Sequence, residues 1–147
     1  MTIAMEKPVA SAVGTATVAS RAQDWALSAP DQIAMREKDF GIWHEYTWAQ
    51  TWDIIEMAAH GLLALGVEVG DRVAIHSEDR PEWVILDIAT VAVRGITVGL
   101  YPTNPMAEVE YLVSDCTPKV FFAEDQEQSD KVLGVDAATA ASIEKII

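Results

Sequence analysis

Between Gly70 and Glu124, short β-rich apolar runs alternate with helical segments, and this alternation limits the fold more than any other stretch. The runs Arg72–His76, Gly95–Tyr101 and Lys119–Ala123 read as strands, with a helix in each interval. Strands and helices at this spacing predict βαβ units and a parallel sheet. Val73, Ala74 and Ile75 lack polar alternation, as in a strand covered on both faces. Asp79 and Glu82 stand three apart around Pro81, which predicts a capped helix start with proline in the first turn. From Trp83 to Val93 only Asp87 and Thr90 are polar, so this helix should be buried on most sides, with Gly95 ending it. Asn104-Pro105 repeats the cap-then-proline signal, for a helix with Val109, Leu112 and Val113 on one face. Pro118 stops it. Right-handed crossovers would then lay the three strands side by side.

The flanks extend this core. A first helix is predicted over Thr17–Ser28, with Ala19, Ala22, Trp25 and Ala26 on one side and Pro30 beyond its end. Ile33–Arg36 and Ile42–Tyr46 flank a turn, Lys38-Asp39-Phe40-Gly41, and predict an antiparallel ribbon. Thr47 and Gln50 have capping-box spacing, and Trp48, Trp52, Ile55, Ala59, Leu62 and Leu63 make an apolar stripe that Gly66 closes. After Ala123 the chain turns acidic. A short helix to Leu133 is expected, then one over Ala137–Ser142 capped by Asp136. Ile146-Ile147 reads as the opening of a strand, so the chain is expected to be a fragment, because a native chain rarely stops on apolar β-formers. Residues 1–16 read as a flexible arm, and 17–147 as one α/β subdomain truncated at its C-terminal end.

Charge and cysteine content exclude several classes of function. Ten basic against 23 acidic residues give a formal net charge of −13. Nucleic-acid binding needs clustered Lys and Arg on the phosphates, and no such cluster exists. Electrostatic binding to an anionic membrane is disfavoured for the same reason. The single cysteine, Cys116, rules out a disulfide framework and fits a reducing cytoplasmic setting. No apolar run reaches the roughly 18 residues of a membrane span. Residues 1–20 lack the leucine-type apolar core of a signal peptide.

The segments GDRVAIHSEDRPEW, GITVGLYPTNP and EVEYLVSDCTPKVFFAEDQEQ, in that order, resemble the N-terminal part of the AMP-forming acyl-CoA synthetases, and most of all the long-chain fatty acid–CoA ligases. The likeness reaches back through Tyr46-Thr47-Trp48 and covers roughly Trp25 to Leu133. Asp79 stands where the family more often has Asn. The resemblance implies part of the large N-terminal α/β domain of adenylate-forming enzymes. It also implies a parent acid–thiol ligase that joins a fatty acid to ATP as an acyl-adenylate and passes the acyl group to CoA. ATP, Mg and CoA are then implied for that parent, and peripheral membrane contact is allowed for it. The rest of the same enzyme would be this chain's partner, and the isolated chain would self-associate through apolar surface meant for that remainder. The family's Ser/Thr/Gly-rich loop ending in Pro-Lys-Gly is absent, and no Lys-Gly dipeptide occurs. The chain alone is therefore expected to be inactive. Two rivals stay open: a fatty acyl–AMP ligase or other adenylate-forming enzyme, and a stand-alone acidic α/β interaction or nucleotide-binding module.

Few residues stand out as chemical candidates, and no catalytic or metal-binding residue is assigned. Val13-Gly14-Thr15-Ala16-Thr17 imitates a phosphate loop but lacks the second glycine and the lysine. His76, Ser77 and Asp79 follow a strand at the end where open α/β sheets place ligands, yet helix capping explains them as well. Glu78, Asp79 and Glu82 need no cation once a helix starts among them. Cys116 reads as a small buried residue, and Trp25, Trp43, Trp48, Trp52 and Trp83 as core packing. The turn Tyr101-Pro102-Thr103-Asn104-Pro105 also ends a strand and opens a helix. By resemblance, Tyr101, Thr103 and Asn104 would border the route of CoA or the acyl chain; by local chemistry alone, Asn104 caps and the prolines stiffen the turn.

Overall fold

A computed structural model describes residues 16–147; the arm and most of the Val13–Thr17 segment lie outside the described residues. Thr17 caps α1 (Val18–Ser28) through a reciprocal box with Ser20. β1 (Ile33–Asp39) and β2 (Ile42–Thr47) pair antiparallel across a two-residue turn, Phe40-Gly41, with φ of 44° and 83°. Two positive φ values match the right-handed twist of a tight hairpin, and Gly41 accepts its value without strain. Thr47 and Gln50 form the predicted box at the head of α2 (Trp48–Ala64). Gly66, at φ 83°, closes that helix.

The organising block folds as β3 (Arg72–His76), α3 (Pro81–Ala92), β4 (Ile96–Leu100), α4 (Met106–Cys116) and β5 (Val120–Ala123). α5 (Gln126–Leu133), a 3-10 turn (Thr139–Ser142) and β6 (Lys145–Ile146) follow. The four strands are parallel, in the order β4-β3-β5-β6. Ile146 thus does lie in a strand, paired with Phe121, but the expected second strand residue at 147 falls outside β6. The chain leaves β3 sideways to β4, then crosses back over β3 to reach β5. Right-handed crossovers in opposite directions put α3 and α4 on opposite faces. On one face Ile55 and Leu62 of α2 and Ile85 and Ile88 of α3 pack over Val73 and Val120. On the other, Val109 and Val113 of α4 and Val132 of α5 pack over Ala74, Leu100 and Phe121.

Several local expectations shift. Arg80, not Asp79, is the N-cap of α3, and it makes no side-chain capping bond. A residue before proline is pushed to extended geometry, so with Pro81 opening the helix the cap falls on Arg80, at φ −119° and ψ 162°. Pro105 itself caps α4, at φ −67° and ψ 159°, which leaves Asn104 one residue outside. Asn104 instead closes a turn, its N–H donating to the Tyr101 carbonyl at 2.9 Å, and is buried. Leu63 is exposed, because the core stripe of α2 runs through Thr51, Ile55 and Leu62. Asp136 caps only the approach to the 3-10 turn, accepting the Ala138 and Thr139 N–H groups. The tryptophans divide: Trp48 and Trp52 pack half-buried against the core, Trp25 stacks on Trp48, Trp83 is half-buried beside the clefts described below, and Trp43 is exposed. Cys116 is half-buried too.

Gly95 does not supply the left-handed residue that ends α3. Arg94 does, at φ 64°, while the Gly95 N–H reaches back to the Thr90 carbonyl. Glycine is needed at 95 for space, since a Cβ there would stand 3.0 Å from Thr90 and 3.3 Å from the Asp71 carbonyl. Left-handed geometry costs a side-chain-bearing residue roughly 1 kcal/mol or more. Arg94→Gly is therefore expected to raise stability by about 0.5–1 kcal/mol, net of the added freedom of the unfolded chain. Urea unfolding checks it, and a lowered midpoint contradicts it.

Candidate functional site

Counted from β3, the strand order is 2-1-3-4, the opening of a doubly wound sheet of flavodoxin-like order. Such sheets bind ligands where successive crossovers part, outside the carboxyl ends of the two central strands. Here those strands are β3 and β5, and a cleft of about 290 Å³ opens there. Its floor is apolar: Ile75, Trp83, Leu86, Phe122 and Ile147. Ser77, Arg80, Glu82 and Glu124 form the rim. A second cleft of about 250 Å³ lies on the other side of Trp83, against Gly99 and Tyr101. The indole packs close to Gly99, where a Cβ would stand 3.1 Å from the ring.

Glu124 ties the rim together. Its carboxylate accepts the Glu78 N–H at 2.7 Å and pairs with Arg80 at 3.1 Å, while its own N–H donates to the His76 carbonyl. The Glu78 N–H, then the Arg80 guanidinium, hold the Glu124 carboxyl below the usual carboxylate range against the opposing effect of burial. Arg80 also meets Glu82 at 3.3 Å and Glu37 at 3.9 Å. One guanidinium thus answers three carboxylates, and Glu78 and Asp79 add two more acids at the opening.

The structure separates His76, Ser77 and Asp79. Ser77 and Asp79 face the clefts. His76 lies fully buried on the opposite face of the sheet, edge-on to Phe121. Its Nε2–H donates to the Tyr101 carbonyl at 3.1 Å, which places the lone pair on Nδ1, an atom with no partner. Burial, then the nearby Lys131 ammonium, lower its pKa. Lys131 donates to the Pro102 carbonyl at 2.9 Å and pairs with Glu127 at 2.7 Å. Together His76 and Lys131 clamp the exit of β4. Of the residues singled out there, Tyr101 is exposed and borders the second cleft, Thr103 is exposed without lining either cleft, and Asn104 is buried behind the turn. The Cys116 thiol is pushed up by burial and stays protonated.

A nucleotide does not fit this site. A triphosphate needs converging donors and positive charge. The only cation among the described residues lining the two clefts is Arg80, already matched by three carboxylates. The acids at the start of α3 cancel the attraction a helix N-terminus offers an anion. For the same reason the rim has nothing to hold the phosphates of CoA. Among the described residues no cluster of three or more His, Cys, Asp or Glu is placed to hold a metal ion. None of their helices is long and apolar enough to cross a membrane.

The fold and the switch-point cleft thus define a doubly wound α/β unit whose two described clefts hold one cation, Arg80, among several carboxylates. The model of the AMP-binding enzyme family matches residues 22–147, and the chain belongs to that family. It is 37% identical over 112 residues to the long-chain-fatty-acid–CoA ligase FadD15 of Mycobacterium bovis, covering 76% of this chain and 19% of the relative. It is 31% identical over 105 residues to the human long-chain-fatty-acid–CoA ligase ACSBG1, covering 71% and 14%. Among solved structures, a long-chain-fatty-acid CoA ligase from Rhodopseudomonas palustris superposes with a TM-score of 0.77 at 28% identity, over 88% of this chain and 32% of that one. The chain therefore spans about a fifth of the length of the first of these curated relatives.

The sequence missed the Glu124 knot and the Lys131 clamp. Glu124 and Glu78 lie 46 positions apart, and only β3–β5 pairing brings them together. The available signal was positional: Glu124 directly follows a predicted strand, at its ligand-facing end.

Proposed function

We propose that these residues are the N-terminal structural part of a long-chain fatty acid–CoA ligase. The parent enzyme converts fatty acid, ATP and CoA to acyl-CoA, AMP and pyrophosphate through an acyl-adenylate, drawing on ATP, Mg and CoA bound elsewhere in the polypeptide. Residues 17–147 supply the sheet against which the remainder packs. The observation that carries this reading is the family match over residues 22–147, joined to a long-chain ligase relative about four times as long as this chain. The acidic, phosphate-repelling rim agrees with a framework role. The parent works in the cytoplasm, with contact to a membrane surface at most peripheral. The Tyr101–Asn104 turn borders the route of the acyl chain or the uncharged arm of CoA, with Tyr101 as the side chain that meets it.

A chimera tests both parts. The chain alone is expected to give no pyrophosphate exchange with ATP and palmitate. Grafted in place of the matching segment of the M. bovis ligase, it should restore exchange well above blank. Within that chimera, Tyr101→Ala should raise the KM for CoA or palmitate several-fold and leave the KM for ATP unchanged. A folded chimera with no exchange contradicts the ligase reading, and an ATP-only effect contradicts the role of the turn.

A further inference from the structure

We propose that the cleft around Trp83 is the seat of a basic, apolar segment of the ligase polypeptide outside these 147 residues. The inference rests on the ligase reading above and adds where the contact falls and what chemistry it requires. Trp83 borders both switch-point clefts and a third hollow lined by Met35 and Val84. One indole is therefore the wall shared by three neighbouring hollows, and with Ile75, Leu86, Phe122 and Ile147 it gives the first of them an apolar floor. Around it Glu37, Glu78, Asp79, Glu82 and Glu124 outnumber two cations, Arg80 and Arg36, and Arg36 is already paired with Glu45 at 2.9 Å. This rim repels carboxylates and phosphates, which excludes a free fatty acid or a nucleotide as occupant.

An apolar floor inside an anionic rim is complementary to an apolar side chain flanked by Lys or Arg. Trp83 adds a cation–π surface for the same groups. The groove also meets the open end of the sheet, where the exposed Ile147 forms part of its wall. A polypeptide arriving there covers Ile147 and Trp83 together. The relatives' remaining four-fifths supply such polypeptide, whereas the 147 residues hold only ten basic side chains.

The test is a nitrogen-15 NMR titration of the chain with the blocked peptide Lys-Leu-Phe-Lys and its charge-reversed twin Glu-Leu-Phe-Glu. The Trp83 indole N–H and the Ser77, Glu82 and Phe122 amides should shift with the basic peptide. The acidic twin should bind at least about tenfold more weakly, a difference of about 1.4 kcal/mol. Raising salt from roughly 0.05 to 0.3 M should erode the difference as the Debye length shrinks. The double substitution Glu78→Gln/Glu82→Gln should weaken the basic peptide about threefold. Equal binding of the two peptides, shifts gathered instead on the ribbon around Trp43, or no shifts at all overturn the proposal. Each leaves the ligase reading standing, because that is judged by exchange activity in the chimera.

Discussion

Phe121→Ala should lower the free energy of unfolding by about 3–5 kcal/mol, a large fraction of what a domain this size has. Phe121 is the largest fully buried side chain among the described residues, in the middle strand pair of the sheet and under Val109, Val113 and Val132. Helices cap it from above and strands flank it on both sides, so the vacated volume cannot refill. Trp83→Ala removes a bigger side chain yet should cost only about 1–2 kcal/mol. Its half-buried ring borders the clefts, so its loss leaves a notch open to water, not a sealed cavity. Urea unfolding of the two variants gives the comparison. A larger loss for Trp83→Ala reverses the assignment of core and groove.

Stability should fall as pH drops below about 6.5, and His76 is the cause. Its unfolded pKa is near 6.5, and burial and Lys131 lower the folded value. A depressed histidine binds its proton more readily in the unfolded state. Its full contribution is therefore present above the unfolded pKa and declines as pH falls toward the folded one. One proton sets a limiting slope of about 1.4 kcal/mol per pH unit. Tyr101 and Pro102 carbonyls, Glu127 and Lys131 surround the ring and set the balance. His76→Gln, which keeps a donor for the Tyr101 carbonyl, should flatten the profile between pH 5 and 6.5. Thermal melts across that range check it, and an unchanged slope in the variant places the proton elsewhere. The carboxylates act lower. Glu124, held down chiefly by the Glu78 N–H, and Asp71, held down chiefly by the Glu68 N–H, stabilise the fold above the ordinary carboxylate range and lose that effect as pH falls through it.

Elements with a strong local signal were legible in the sequence. The boxes at Thr17 and Thr47 form because cap and partner lie three residues apart, so no tertiary information is needed. The unalternating Val73–Ile75 run marked the doubly covered central strand, and the helical intervals around β4 marked the crossovers. The errors were of a different kind. Capping was assigned by residue type at Asp79 and Asn104, but proline geometry moved both caps one residue on. Gly95 was read as a conformational residue, whereas the packing of Thr90 and the Asp71 carbonyl is what requires it.

Trp43 and Trp83 show the same limit. Spacing placed them on apolar faces, but an apolar face is also what a groove needs. The turn at Tyr101 was visible as a strand exit, while its clamps, His76 and Lys131, come from two other elements.

The order of strands and helices and the boxes at Thr17 and Thr47 were set by the sequence itself, because period and neighbouring residues act over a few positions. Which carboxylates crowd one guanidinium, which histidine must stay neutral and which indole is left facing water were decided only by the assembled sheet. Those are properties of distance in space, and residues 46 positions apart become neighbours only when β3 and β5 pair.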